Sequence, residues 1–92
     1  MLVVVAYDVI EDNKRRTQLR KALKRFGVHV QRSVVECWLE PREILLMKQA
    51  VFEIVRERID EVKFYYFCEL CQRRVEATFA SKITADPPTI IV

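Results

Sequence analysis

Glycine is almost absent from this chain, with one residue, Gly27, among 92. A glycine-rich phosphate loop needs several glycines, so the P-loop and Rossmann classes of nucleotide-binding protein are excluded. No apolar run approaches the roughly 20 residues that a membrane-spanning helix requires. The opening residues also lack the basic region and the small-residue cleavage site of a secretory signal peptide. A cytosolic protein with no membrane partner is therefore expected.

Cysteine is also scarce, and its three copies do not suggest the disulfide framework of a small secreted protein. Cys68 and Cys71 form a single C-x-x-C pair, whereas a zinc site needs four ligands. Two chains that pooled their pairs would complete such a site. A thioredoxin-like redox motif lacks its usual context here, because the pair follows a late strand. Reduced, partly buried cysteine is the simplest interpretation.

Histidine occurs once, as His29. Its ordinary pKa of about 6.5 would suit proton transfer near neutrality. A single histidine on a presumed strand is nevertheless more often structural than catalytic. His29 is therefore a weak candidate for a general base.

Acidic residues are missing from one quarter of the chain. Residues 13–35 contain eight of the 16 basic residues and no acid, whereas residues 1–12 contain three acids and no base. A solvated helix face is the simplest explanation for a charge run. However, a local positive field attracts polyanions even when the net charge is only +3. Nucleic acid is thus a candidate partner.

The first part of the chain predicts a strand followed by a helix. The apolar run over residues 2–9 is typical of a central strand. Residues 13–26 carry apolar side chains at the helical period, with Asp12 or Asn13 as the N-cap. Gly27 follows, where a helix C-cap favours a residue with left-handed backbone.

The remaining pattern completes the order β-α-β-β-α-β. Residues 28–39 are β-branched and too long for one strand, so two strands with a reversal near residues 31–33 are expected. Pro41 begins a second helix, and residues 62–68 alternate as a strand does. The predicted buried stripe of that helix consists of Ile44, Met47, Val51, Ile54, Val55 and Ile59. This order predicts a ferredoxin-like α+β fold, a four-stranded antiparallel sheet with two helices on one face.

The end of the chain predicts an additional element. We expect a ferredoxin-like domain over residues 1–79, with a further strand over residues 73–79, and a tail over residues 80–92. Thr89–Val92 is apolar and β-type, and an exposed edge strand of this kind invites pairing with another chain. A homodimer in which this C-terminal strand pairs is therefore expected.

Asp8 is the main candidate for chemistry. Capping or turning the chain is the simpler role for a lone aspartate, but a rigid strand end is a good platform for a site. One carboxylate binds Mg²⁺ weakly, because the ion requires six oxygen ligands. A twofold dimer would bring two Asp8 carboxylates together, with Glu11 and Asp12 as spare acids. The Tyr7 hydroxyl is a candidate hydrogen-bond donor there, although packing is the simpler role.

The basic residues of the first helix divide into two sets. Arg15 and Arg16 are expected near the strand end that holds Asp8, where they would neutralise phosphates. The helical period directs a second set outward, where it would contact a polyanion backbone: Lys21, Lys24 and Arg25.

Taken together, these segments resemble the small CRISPR-associated nuclease family, the smaller of the two core proteins of spacer acquisition. The opening VVVAYDV resembles the family's strand ending in Tyr-Asp, and EDNKRRTQLRKALKRFG is similar to its first helix. VQRSVVE resembles a second motif, usually written Ser-Val-Phe-Glu, in which Ser33 matches the serine. Val35 stands at the place of the phenylalanine. The Cys-x-x-Cys after the fourth strand also occurs in some relatives.

The resemblance implies a homodimer in which Asp8 from each chain is the catalytic ligand of a shared Mg²⁺ or Mn²⁺, with Tyr7 and Ser33 in supporting roles. It implies a metal-dependent endonuclease that acts on single-stranded RNA or double-stranded DNA and assembles with the adaptation integrase. The alternative is a non-catalytic DNA-binding adaptor that bridges integrase dimers. A regulatory domain for a small ligand is a third reading, which the concentrated basic segment disfavours.

Overall fold

The computed structural model describes residues 1–10 and 12–76. The elements in chain order are β1 (Leu2–Asp8), α1 (Asn13–Lys24), β2 (Val28–Gln31), β3 (Val34–Trp38), α2 (Pro41–Ile54), β4 (Glu61–Phe67) and α3 (Glu69–Gln72). The four strands form one sheet in the order β2-β3-β1-β4, and each neighbouring pair is antiparallel. The ferredoxin-like order expected from the sequence is confirmed.

Alternation along β1 separates the two faces of the sheet. Val3, Val5 and Tyr7 belong to the buried core, because every second side chain of a strand points to the same face. Leu19 and Leu23 of α1 pack against this face of the sheet and complete the core, together with Met47 and Val51 of α2. The even-numbered side chains of β1, including Asp8, therefore lie on the face away from both helices.

Gly27 has a different role from the predicted helix cap. It does not have a positive φ. Helix α1 ends at Lys24, and its C-cap residue Arg25 has a right-handed φ of −73°. A Cβ atom on Gly27 would lie less than 3.0 Å from the carbonyl oxygen of Glu36 and from Sγ of Cys37. Glycine is required because the chain passes directly against β3 at this point.

The second helix is shorter than its predicted apolar stripe. Glu40 caps it through a reciprocal pair of hydrogen bonds with Glu43, and Pro41 occupies the first turn as expected. The helix ends at Ile54, so Ile59 lies beyond it, and this side chain is 40% exposed. Including Ile59 in the stripe was therefore wrong.

The structure adds the short helix α3 after β4, which the sequence pattern did not indicate. The first residues of the strand expected over residues 73–79 form a turn and irregular chain instead. Glu11 and residues 77–92 lie outside the described residues, as do the tail over residues 80–92 and its pairing strand. The boundary at residue 79 therefore stays a prediction. Within residues 1–10 and 12–76, no helix is long and apolar enough to cross a membrane.

Candidate functional site

A cleft of about 450 Å³ opens where β1 ends. One wall comes from the strand end, another from α1, and a third from the turn between β2 and β3. The lining residues are Tyr7, Asp8, Val9, Arg16, Thr17, Arg20, Arg32 and Ser33. Three guanidinium groups thus share one concave surface with a single carboxylate.

Asp8 is the last residue of β1, and its position is fixed by the sheet. It lies opposite Glu61 of β4 in the antiparallel register, and it is exposed on the face away from the helices. Among the described residues, no ion pair or hydrogen bond engages its carboxylate. Both oxygens are thus available to a ligand. The sequence analysis missed Glu61, which becomes a neighbour of Asp8 only through strand pairing.

Arg16 connects α1 to the strand end. Its Nε and Nη2 atoms donate to the carbonyl oxygen of Val9 at 3.1 and 2.5 Å, and Nη1 donates to Oδ1 of Asn13 at 2.7 Å. The residue that follows Asp8 is therefore held in place by a side chain from the helix. The structure brings Arg16 and Asp8 into one cleft, as the sequence predicts.

Arg15 faces the opposite direction and is only 6% exposed. Its Nε and Nη2 atoms donate to the two carboxylate oxygens of Asp60 at 2.6 and 2.9 Å, and Nη1 donates to Oδ2 of Asp12 at 3.0 Å. We call these three residues the Arg15 cluster. The expectation that Arg15 contacts nucleic acid is therefore wrong, because its guanidinium is buried and occupied by two carboxylates.

The Arg15 cluster also changes the acidity of its carboxyl groups. The hydrogen bonds from Arg15 lower the pKa of Asp60, whose side chain is 0% exposed. Backbone N–H groups of α1, with that of Arg15 the strongest, lower the pKa of Asp12. Asp12 is also the N-cap of α1, as its place before the helix suggested. Both carboxylates are ionised at neutral pH.

Two arginines that the sequence analysis did not select complete the cleft. Arg20 lies one helical turn after Arg16, and its Nη1 atom donates to the carbonyl oxygen of Arg32 at 3.2 Å. Arg32 lies in the β2–β3 turn, which strand pairing brings to the end of β1. The helical spacing of Arg20 from Arg16 was a usable signal. The place of Arg32 required knowledge of the sheet order.

Tyr7 and His29 form a partly buried hydrogen-bonded pair at the wall of the cleft. The Tyr7 hydroxyl donates to the carbonyl oxygen of Arg32 at 3.1 Å and lies 3.0 Å from Nε2 of His29. Since a carbonyl only accepts, Nε2 carries the hydrogen that reaches the tyrosine oxygen. Burial raises the pKa of Tyr7, and burial together with the charge of Arg20 lowers the pKa of His29. The Tyr7 hydroxyl thus donates its hydrogen to the β2–β3 turn and not to Asp8.

The remaining predicted basic residues lie outside the cleft. Lys21 and Lys24 of α1 and its C-cap residue Arg25 are exposed. The Arg25 guanidinium lies 5.7 Å from the centre of the Phe26 ring. Ser33 does line the cleft, and its carbonyl oxygen accepts from the backbone N–H of Tyr7 at 3.0 Å. This backbone contact continues the pairing of β1 with the β2–β3 turn.

The sheet face that bears Asp8 is open and partly apolar. Neither α1 nor α2 covers it, since both helices pack on the other side. The register places several apolar side chains on this face, next to the charged Glu36 and Lys63. The apolar ones include Val4, Val28, Val34, Trp38 and Tyr65. Val28 and Tyr65 are 50% and 47% exposed. An apolar sheet face of this kind is a candidate interface.

Asp8 fits a hard metal ion by its chemistry, because unpaired carboxylate oxygens are the ligands that Mg²⁺ and Mn²⁺ prefer. The described part of one chain contains no group of three or more potential metal ligands. A single chain therefore offers one or two carboxylates, and a complete site requires water, substrate or a second chain.

The chain matches known proteins over most of its length. The family model described as "CRISPR associated protein Cas2" matches residues 1–75. A protein of Chloroflexus aurantiacus named "CRISPR-associated endoribonuclease Cas2 3" is 32% identical over 92 residues, which are 100% of this chain and 98% of that protein. A protein of Halalkalibacterium halodurans named "CRISPR-associated endonuclease Cas2" is 29% identical over 83% of each chain.

Solved structures agree with the sequence match. The structure titled "Crystal structure of Streptococcus pyogenes Cas2 at pH 6.5" superposes with a TM-score of 0.73 and 35% identity. The match covers 86% of this chain and 100% of that one.

Proposed function

This chain belongs to the CRISPR-associated Cas2 family, and from that premise we propose that it is a metal-dependent endonuclease of spacer acquisition. It would hydrolyse phosphodiester bonds of single-stranded RNA, of double-stranded DNA, or of both. The observation that carries this proposal is the cleft, in which an unpaired carboxylate shares one surface with three arginines. The names of the relatives, endoribonuclease and endonuclease, agree with it.

Asp8 would hold Mg²⁺ or Mn²⁺, with one Asp8 from each of two chains. When bound, such an ion lowers the pKa of a coordinated water and stabilises charge on the reacting phosphate. Strand pairing fixes the backbone position of Asp8, and Arg16 fixes the backbone that follows it. This arrangement reduces the reorganisation that binding of substrate would otherwise demand.

Arg20 and Arg32 would neutralise the phosphates next to the scissile bond. Both side chains are exposed and line the cleft, and no acid among the described residues forms an ion pair with either of them. Guanidinium groups bind phosphate oxygens with bidentate geometry. Ser33 lines the same cleft and would support the substrate there.

A homodimer is the assembly that we propose for this site. The face bearing Asp8 is open and partly apolar, so two copies that stacked these faces would bury Val4, Val34 and Tyr65 and bring their Asp8 residues together. The partners we propose are therefore a second copy of this chain, the adaptation integrase and nucleic acid. All of these would be met in the cytoplasm.

A non-catalytic DNA-binding adaptor that bridges integrase dimers is the second candidate function. The observation that favours it is the exposed basic surface of α1 outside the cleft, formed by Lys21, Lys24 and Arg25. Contacts of this type give affinity that depends on salt and not on sequence. They require no metal and no Asp8.

The test compares wild type with Asp8→Asn, which keeps the shape of the side chain and removes its charge. Each protein is incubated with labelled single-stranded RNA and double-stranded DNA, in Mg²⁺, in Mn²⁺ and in chelator. We expect metal-dependent cleavage by wild type. Asp8→Asn should lose more than the roughly 10–100-fold that substitutions of outer-shell partners of a metal cause. Glu53→Gln, an exposed acid on α2, is the matched control and should cleave normally.

Two other results would change the conclusion. If wild type and Asp8→Asn are both inert but bind DNA equally, the adaptor function replaces the nuclease. If Asp8→Asn cleaves as well as wild type, Asp8 is not the catalytic carboxylate.

A further inference from the structure

The C-x-x-C pair after β4 is a structured unit that the cleft does not use. Cys68 is the residue that precedes α3, and Cys71 lies within this short helix. The backbone N–H of Cys71 donates to Sγ of Cys68 at 3.4 Å. Both side chains are exposed and both thiols are free. Two thiols therefore face each other on the surface, within reach of a small molecule.

The two thiols differ in acidity. The backbone N–H of Cys71, and after it the Cys71 thiol, lower the pKa of Cys68. The hydrogen bond and the charge of Cys68 raise the pKa of Cys71. The hydrogen bond from the Cys71 N–H thus favours the thiolate form of Cys68, and the neighbouring Cys68 favours the protonated form of Cys71. This division is the one that nucleophilic and resolving cysteines require.

The third cysteine, Cys37, differs from this pair in both exposure and acidity. Cys37 is 0% exposed in the core, and burial raises its pKa to about 11. It is protonated at neutral pH and closed to reagents. It therefore serves as an internal reference in the same molecule.

We propose that Cys68 and Cys71 form a reversible dithiol–disulfide site that reacts with low-molecular-weight disulfides such as oxidised glutathione. The Cys68 thiolate attacks one sulfur of the small disulfide, whose S–S bond breaks and releases one thiolate. Cys71 then loses its proton and attacks Sγ of Cys68, releasing the second thiolate. Two electrons pass from the cysteine pair to the small disulfide, which ends as two thiols.

The neighbourhood of the pair favours a thiol reaction over a metal site in one chain. The described residues offer no third cysteine, histidine or carboxylate that would complete a group of metal ligands there. The positive charge of Arg74 also acts on Cys71 and favours its deprotonation when the second step occurs. Gln72 of α3 accepts a hydrogen bond from the backbone N–H of Leu2 at 3.4 Å, so the pair stands on a helix that is anchored to β1.

The test uses full-length wild type, Cys68→Ser and Cys71→Ser, each treated with chelator and then equilibrated in glutathione buffers of graded ratio. Acid quenching, alkylation and peptide mass spectrometry identify the state of each thiol. In wild type, Cys68 and Cys71 should lose their alkylation together and form an intrachain disulfide. Cys71→Ser should accumulate glutathione on Cys68. Cys68→Ser should react several-fold more slowly, and Cys37 should remain unmodified in all three proteins until denaturant is added.

Several results would overturn the proposal. It is wrong if both thiols of wild type stay reduced across the whole glutathione series, or if the disulfide joins two chains instead of two residues of one chain. It is wrong if the two serine variants react at equal rates. It is also wrong if native wild type, before chelation, protects both thiols and releases zinc when the chelator is added, because the pair is then half of a shared metal site.

Discussion

Two neighbouring arginines at the start of α1 have opposite surroundings. Arg15 is buried between Asp12 and Asp60, whereas Arg16 lines the exposed cleft and donates only to a carbonyl and an amide oxygen. In the Arg15 cluster, positive charge is matched by carboxylates. In the cleft, three arginines face one carboxylate that pairs with none of them.

This difference separates charges that hold the fold from charges that remain available to a ligand. A buried arginine is tolerated because carboxylates satisfy its donors. An exposed arginine that no acid neutralises keeps its positive charge for an anionic ligand such as phosphate. Nothing in the dipeptide Arg15-Arg16 distinguishes the two residues. The helical rotation between adjacent positions does, because it directs one toward the α2–β4 loop and the other toward the end of β1.

The largest effect is expected on stability when the Arg15 cluster is broken. Asp60→Ala leaves the guanidinium of Arg15 buried without its main partner, and such a loss costs about 3–5 kcal/mol. Urea denaturation should show this decrease in the free energy of unfolding. The double change Arg15→Met with Asp60→Leu should recover much of it, because neither charge is then left buried. A decrease below about 1 kcal/mol for Asp60→Ala would contradict a structural role for the cluster.

A smaller effect of the same cluster should appear in acid. The pKa of Asp60 is lowered from its ordinary value of 3.8 in the folded state, so the unfolded chain binds a proton more readily. The stabilisation by Asp60 is then complete above pH 3.8, and it is lost as the pH falls through the lowered pKa. Thermal unfolding of wild type should show a steep loss of stability in that range. Asp60→Asn should show a shallower loss, and equal slopes would exclude Asp60 as a contributor.

Substitution of an arginine in the cleft should weaken nucleic-acid binding and leave stability nearly unchanged. Arg32→Ala removes a guanidinium that no described acid pairs with, so we expect nucleic-acid affinity to fall about tenfold, which equals about 1.4 kcal/mol. The slope of log affinity against log salt should fall by about 0.7–0.9 for the lost phosphate contact. Fluorescence anisotropy across a salt series measures both quantities. Arg42→Ala, an exposed arginine at the start of α2, is the matched control, and an equal loss there would refute the assignment.

The smallest effect is expected on the outer face of α1. Lys21→Ala should change the free energy of unfolding by less than about 0.5 kcal/mol and weaken nucleic-acid binding about twofold. The anisotropy and denaturation assays described above measure both values. A loss at Lys21 larger than that at Arg32 would move the main phosphate contacts from the cleft to the outer face.

The fold was predictable because its signals are local. The apolar run of β1 and the helical period of α1 and α2 depend on residues close together in the chain. Gly27 was misinterpreted because the atoms that exclude a side chain there belong to Glu36 and Cys37, on the next strand but one. A local backbone preference would suffice to explain glycine at position 27, but the physical reason is the long-range contact with β3.

The site was predictable only in part. Asp8 and Arg16 are adjacent to the break between strand and helix, so the sequence places them together. Asp60, which engages Arg15, is 45 positions away in the chain, and helical periodicity carries no information about it. Arg32 and Glu61 reach the end of β1 only through strand pairing, which single-chain patterns do not specify.

The alternation of side chains along β1 determines on which face of the sheet Asp8 lies. Val3, Val5 and Tyr7 are buried on one side, which obliges Asp8 to emerge on the other. A slip of β1 by one residue against its neighbours would send the carboxylate into the helix layer and the apolar side chains into water. Because such a slip would expose apolar side chains to water, the pairing that places Asp8 in the helix layer is strongly disfavoured. Insertion or deletion of one residue within β1 should therefore be far more damaging than a conservative substitution there.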